Sequence, residues 1–156
     1  MRSCGECSLC CKVLAIKELE KPDQEWCKHV IKKKGCAIYA DRPQVCKDFM
    51  CLWLNEKSKF PDSYRPDKIG AVFLPFDKPG GRQGLICYVD RQRPGIIYEQ
   101  PLRDLLQTLS TRLQILVSFG GKKVMTKLGK QWITCDVILD DLTGKMDVFA
   151  KIPPVP

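Results

Sequence analysis

Four thiols fall within eight positions near the start of the chain, in Cys4-Gly5-Glu6-Cys7-Ser8-Leu9-Cys10-Cys11, and two of them are adjacent. Four more follow at Cys27, Cys36, Cys46 and Cys51, whereas only Cys87 and Cys135 lie beyond. A lobe this small and this rich in sulfur builds little core of its own, and small lobes often depend on cross-links or metals to fold. Which of the two applies depends on the redox compartment. No run of 18 apolar residues is present, so no transmembrane helix is expected. The N-terminus lacks an apolar core that would mark a signal peptide. The expected location is the cytoplasm, where thiols stay reduced, and dense cysteines there point to metal or redox chemistry rather than disulfides.

Zinc and iron–sulfur centres both take four thiolate donors in a roughly tetrahedral arrangement. Eight clustered thiols would fill two such centres, or one polynuclear cluster with further ligands. The candidate ligands are therefore Cys4, Cys7, Cys10, Cys11, Cys27, Cys36, Cys46 and Cys51. Cys4-x2-Cys7 alone matches half a zinc knuckle. Extended to Cys10, it matches the first three ligands of a bacterial ferredoxin run, whose x3-Cys-Pro continuation is absent here. Spacing thus admits zinc or iron, mononuclear or as an iron–sulfur cluster. Neighbouring side chains point to opposite faces of a strand, or about 100° apart on a helix. Cys10 and Cys11 are therefore expected to serve different centres, or one of them to bridge, which makes this segment a shared wall between two centres. Cys46 and Cys51 stand about 140° apart on an ideal helix, so they share one small centre only if the helix loosens near Cys51. The one histidine, His29, is weighed both as a ligand and as a hydrogen-bond donor to a thiolate. Lys12, Lys28 and Lys47 each follow a cysteine and are expected to be solvated.

The formal charge of +8 counts every thiol as neutral. Eight thiolates holding two divalent ions would bring it to about +4, so the basic excess partly balances the site. Lys32-Lys33-Lys34 is the densest basic run. It is too short, and too poor in interleaved aromatics, to mark a nucleic-acid surface by itself.

Taken together, Cys4-x2-Cys7-x2-Cys10-Cys11, Trp26-Cys27-x-His29 and Gly35-Cys36-x-Ile38-Tyr39-x2-Arg42-Pro43-x2-Cys46-x2-Phe49-x-Cys51 resemble the zinc- or iron-chelating cysteine-cluster (YkgJ-like) family of bacteria. The resemblance covers Cys4 to Leu54. It implies chelation of zinc or iron without implying a reaction. Some relatives carry the cluster beside a flagellin lysine methylation activity. No glycine-rich cofactor loop follows a strand here, so that activity is not carried over, and whether the chain is an enzyme stays open.

The expected fold class is α+β. Residues 1–56 are read as a small, irregular, metal-binding lobe, and residues 57–156 as an α+β lobe with an antiparallel sheet and one long amphipathic helix. In the first lobe a helix is expected from Pro43 to Leu54, on the spacing of Val45, Phe49, Leu52 and Trp53. In the second, strands are expected over Lys68–Phe76, Leu85–Val89 and Gly95–Glu99. Leu102, Leu105, Leu106, Leu109, Leu113 and Leu116 predict the long helix. Lys123–Leu128 and Trp132–Leu139 predict a hairpin turned at Gly129-Lys130. Asp77–Arg82 reads as a turn. Asp136, Asp140 and Asp141 read as a strand end and turn rather than an ion site. Cys87 and Cys135, set in apolar runs, read as small buried hydrophobes.

Three functions fit this sequence. The first is a metal-binding protein whose eight-cysteine cluster chelates zinc or iron. The second is an iron–sulfur redox protein. The third is a zinc-stabilised module contacting protein or nucleic acid. Metal ions are the expected partners of all three, and no membrane is expected.

Overall fold

In the computed structural model the described residues are 2–77, 83–121, 123–128, 130–136, 138–139 and 146–147. The doubled cysteine opens a short helix, Cys10–Val13 (α1), which buries Lys12 and Val13. Beyond it, Ile16 and Lys21 pair across an isolated bridge. Val30–Ile31 (β1) and Gly35–Cys36 (β2) then form a small antiparallel hairpin. Its turn carries the three lysines, all exposed. Gly35 has a left-handed φ of 95°, and a Cβ there would collide with the Gly5 carbonyl oxygen. The hairpin is thereby pressed against the turn that holds Cys4 and Cys7.

The helix expected through Leu54 is short, Gln44–Asp48 (α2), and Phe49 is already extended, with φ −66° and ψ 123°. The chain loosens because other bonds claim it. The Leu52 N–H donates to the Phe73 carbonyl at 2.8 Å, and Cys51 and Trp53 enter the main core. Pro66–Ile69 (α3) occupies the start of the segment read as a strand, with Pro66 at its first position and Gly70 closing it at φ 70°. Proline inside the start and glycine past the end are the usual punctuation of a helix. A Cβ at Gly70 would also run into the Ile96 side chain. Gly70→Ala is therefore expected to destabilise the protein by about 2 kcal/mol, the scale of a non-glycine residue forced left-handed. Urea unfolding measures this, and an unchanged midpoint would contradict it.

Ala71–Asp77 (β3) and Gln83–Val89 (β4) pair antiparallel. From β4 the chain crosses over through a 3-10 turn, Pro94–Tyr98, and a helix, Leu102–Ser110 (α4), to Gln114–Ser118 (β5), which lies parallel to β4. Lys123–Leu128 (β6) and Gln131–Asp136 (β7) complete the sheet as an antiparallel hairpin. Strand order follows the sequence, β3-β4-β5-β6-β7. Ile138–Leu139 (β8) and Met146–Asp147 (β9) form a separate antiparallel pair.

The fold class is α+β, with three corrections in detail. The sheet is mixed, because one crossover makes β4 and β5 parallel. The expected strand Gly95–Glu99 is a 3-10 turn started by Pro94. The leucine run is split: Leu102, Leu105 and Leu106 are the buried face of α4, whereas Leu116 sits in β5 between Ile115 and Val117, all three buried in the sheet. Two β-branched residues flanking Leu116 favour the pleated surface, and that preference overrides the helical spacing. The β6–β7 hairpin forms, with Gly129 outside the described residues, but its second strand ends at Asp136 and Ile138–Leu139 pair with β9 instead of extending it. Asp140, Asp141 and residues 78–82 of the expected turn also lie outside them. Cys87 and Cys135 are buried at 0% and 2% exposure, as their apolar surroundings imply.

One hydrophobic cluster joins Val13, Cys51, Trp53 and Phe60 to Val72, Phe73, Cys87 and Val89 of the sheet and to Leu102, Leu105 and Leu106 of α4. The cysteine-bearing segment therefore packs on the sheet edge formed by β3 and β4. Gln24 adds a polar tie across the same junction. Its amide donates to the Val89 carbonyl at 3.0 Å, and its side-chain oxygen accepts from the Arg91 N–H at 2.9 Å. Among the described residues no helix is long and apolar enough to cross a membrane.

Candidate metal centre

Backbone bonds bring the cysteine segments together. The Cys7 N–H donates to the Cys4 carbonyl (2.8 Å), closing the first turn. The Cys27 N–H donates to the Cys11 carbonyl (3.0 Å), and the Val30 N–H to the Cys27 carbonyl (3.1 Å). Val30 in turn pairs with Cys36 across the hairpin. Pro43, preceding α2, lets that helix start where Cys46 can turn inward. A cavity of about 90 Å³ results, lined by Cys4, Cys7, Cys10, Cys11, Cys27, Cys36 and Cys46. His29 lines it too, and Leu14, Ile16, Ile38 and Phe49 supply apolar wall. Cys51 does not reach the lining. It lies buried in the main core, beside Trp53.

All ten cysteines are free thiols. The Sγ atoms of Cys10 and Cys11 are 4.0 Å apart. Zinc–sulfur bonds of 2.3 Å place two tetrahedral ligands about 3.8 Å apart, so this pair already has the spacing of metal-bound thiolates. Among the described residues, however, no three His, Cys, Asp or Glu side chains converge closely enough to hold an ion as they stand. The donor set fits a thiophilic ion in number and kind, and binding would need its sulfurs to draw inward.

The electrostatics of the thiols are uneven. The Cys10 thiol is held well above its ordinary range, first by its hydrogen bond to Cys11, then by burial and by the charges of Cys11, Cys4 and Cys7. Its partner Cys11 is lowered to about 7 by the same hydrogen bond, against burial, with help from Lys21 and Arg42. The first proton is therefore lost by the pair as a unit, and either sulfur can serve as donor in their contact. Burial pushes Cys7 up to about 11, although the backbone N–H groups of Asp67 and Leu9 oppose it. Burial also raises Cys51, and it raises Cys46, whose nearest charges include Cys11, Cys27 and Cys36.

No family model, curated protein or solved structure matches this chain.

Two cations at the site escaped the sequence reading. Lys21 is buried and donates through Nζ to the carbonyls of Lys12 (3.1 Å), Leu14 and Pro22 (2.8 Å). Burial lowers its pKa, against the charges of Cys27 and Cys11, which favour the ammonium. Arg42 lines the cavity with its guanidinium 3.6 Å from the centre of the Tyr39 ring and its Nε donating to the Tyr39 carbonyl. The expectation of solvated lysines holds for Lys28 and Lys47, which are exposed. Lys12 corrects it, being 5% exposed, with Nζ bound to Asp90 and to Gln92 Oε1 at 2.9 Å. Its partners lie 78 and 80 residues away, so no local signal in the sequence marks it.

Proposed function

We propose that this chain is a metal-binding protein whose eight N-terminal thiols chelate zinc or iron. One observation carries the reading. Thiols scattered from Cys4 to Cys46 line a single small cavity, and the eighth, Cys51, is buried close enough for the charges of Cys4 and Cys7 to interact with it. Random free cysteines in a reduced compartment have no reason to converge; ligands do. Thiolate donors select soft or borderline ions, zinc and iron foremost. The resemblance to the YkgJ-like cysteine-cluster family supports the same ions. The two buried or cavity-lining cations, Lys21 and Arg42, would offset part of the negative charge of a thiolate-bound metal. A reduced, cytoplasmic setting belongs to this reading, because the thiols must stay free to bind.

The apolar wall of the cavity and the Cys4-x2-Cys7-x2-Cys10 spacing favour a second reading, an iron–sulfur centre in a redox protein, since clusters are held by thiolates in shielded sites. Protein purified without oxygen separates the two. Elemental analysis and a visible spectrum are expected to give stoichiometric zinc in a colourless sample, or iron without labile sulfide, for the first form. Iron with sulfide and visible charge-transfer bands would establish the second. A sample free of both metals, and unable to take up either when reduced, would refute chelation altogether.

A further inference from the structure

The eight thiols are not equivalent in position. Arg2 laces the N-terminal turn to the chain just after Cys51, donating from Nη1 to the Trp53 carbonyl (2.7 Å) and from its backbone N–H to Glu56 (2.7 Å). Cys10 packs against the hydrophobic cluster that contains Cys51. These contacts gather Cys4, Cys7 and Cys10 on the side of Cys51, toward the sheet. The other thiols are tied to one another instead. Cys11 binds Cys27 through the backbone, and the same ladder leads through Val30 to Cys36. Cys46 lines the same cavity from α2, near enough to Cys11, Cys27 and Cys36 for their charges to act on it, and Arg42 acts on both Cys46 and Cys11. We propose that the thiols form two separate four-sulfur centres for a divalent thiophilic cation, one of Cys4, Cys7, Cys10 and Cys51, the other of Cys11, Cys27, Cys36 and Cys46.

The proposal rests on the metal-binding reading and adds the division of ligands. The adjacent Cys10 and Cys11 are the point where the centres meet. Their 4.0 Å contact suits two sulfurs of one ion as well as two of neighbouring ions. Their surroundings favour the second, because Cys10 leans on the core cluster that also contains Cys51 while the Cys11 carbonyl is held by Cys27. Loading each centre forms four sulfur–metal bonds and releases to solvent whatever protons the four thiols carry. No electron moves, and each filled centre has a net charge of −2 from four thiolates and one divalent ion. Lys21 and Arg42 border the second centre, and Asp67, paired with Arg65, reaches Cys7 of the first.

The test uses the full chain, reduced, stripped and reloaded with Zn2+ alone, with bound ions counted by native mass spectrometry. The parent protein is expected to hold two. Cys36→Ala with Cys46→Ala removes two ligands of one centre and is expected to leave one ion. Cys4→Ala with Cys36→Ala removes one ligand from each and is expected to leave none tightly bound. All three positions are half-buried, and circular dichroism checks that the sheet persists. A measurement on the unsubstituted chain makes the answer independent of folding in the variants. Loaded with 113Cd, it should show two cadmium resonances, each coupled to the four cysteines named for that centre. Loss of both ions from the same-centre pair, one resonance, a cysteine coupled to both, or any other grouping overturns the division while leaving chelation standing. A parent chain that takes up no metal overturns both.

Discussion

Replacing Asp90 with alanine is expected to destabilise the protein by about 3–5 kcal/mol, the range for removing one partner of a buried ion pair. The side chain of Lys12 is 6% exposed and that of Asp90 14%. Lys12 Nζ also donates to Gln92 Oε1 and sits 5.4 Å from the centre of the Trp26 ring, but neither neighbour carries a compensating charge. Asp90 follows β4 and accepts from the Gln92 N–H through its second oxygen at 2.9 Å, so the pair fastens α1, with its doubled cysteine, to the end of the sheet. Asp90→Asn keeps the shape and one acceptor oxygen, while its NH2 replaces the other acceptor and the charge is lost, so it should fall between the parent and the alanine variant. The pair also gives a pH signature. Burial pushes the Asp90 carboxyl up, but the Lys12 hydrogen bond, the Gln92 N–H and the charges of Lys12 and Arg93 outweigh it and hold the group below its ordinary value. A depressed carboxyl stabilises the fold fully above its unfolded value of about 3.9, and that contribution fades as pH falls through the folded value. Urea unfolding as a function of pH should show this acid-side loss in the parent and a flatter profile in Asp90→Asn. Equal stability of parent and alanine variant at neutral pH would show that the pair fastens nothing.

The cysteine set was legible in the sequence because its signal is composition and spacing, which no tertiary contact can erase. The loosening of the chain after α2 was legible only as a condition, since it depends on Phe73 accepting a bond from Leu52, residues 21 apart. The split leucine run was hidden for a related reason. Leu102, Leu105 and Leu106 obey the helical period, and Leu116 falls on a continuation of it, yet its β-branched neighbours Ile115 and Val117 give a continuous buried run that suits an interior strand. Periodicity alone does not separate these cases. The parallel pairing of β4 and β5 follows from that split, because a helix between two strands is a crossover. The buried or cavity-lining cations were the least visible. Lys12, Lys21 and Arg42 look like surface residues by type, and only their partners, Asp90, three carbonyls and the Tyr39 ring, explain where they lie.

Withdrawing metal is expected to have the largest effect of all. Zinc bound by four ligands supplies on the order of 10–16 kcal/mol of apparent free energy to small domains that cannot fold without it. Residues 2–56 resemble such domains. Their helices are four and five residues long, their paired strands two residues each, and few of their side chains enter the core. The sheet differs, since β4 and β5 bury Leu85, Ile86, Cys87, Ile115, Leu116 and Val117 against β3, β6 and α4. A strong chelator should therefore act unevenly. Amide exchange and limited proteolysis are expected to show protection lost across residues 2–56, while amides of β4 and β5 stay protected and the α4 helix signal remains. Trp26 is 47% exposed, so its fluorescence should change little, whereas Trp53, at 7%, should report the opening of the junction. The loss should be partial in depth as well as extent, because Val13, Cys51, Trp53 and Phe60 cap the core that β3, β4 and α4 share. Readdition of zinc to reduced protein should restore protection. If exchange in residues 2–56 is the same with and without chelator, the thiols do not hold a metal that folds this segment, and the Lys12–Asp90 pair and the Gln24 bonds to β4 must hold it in place without one.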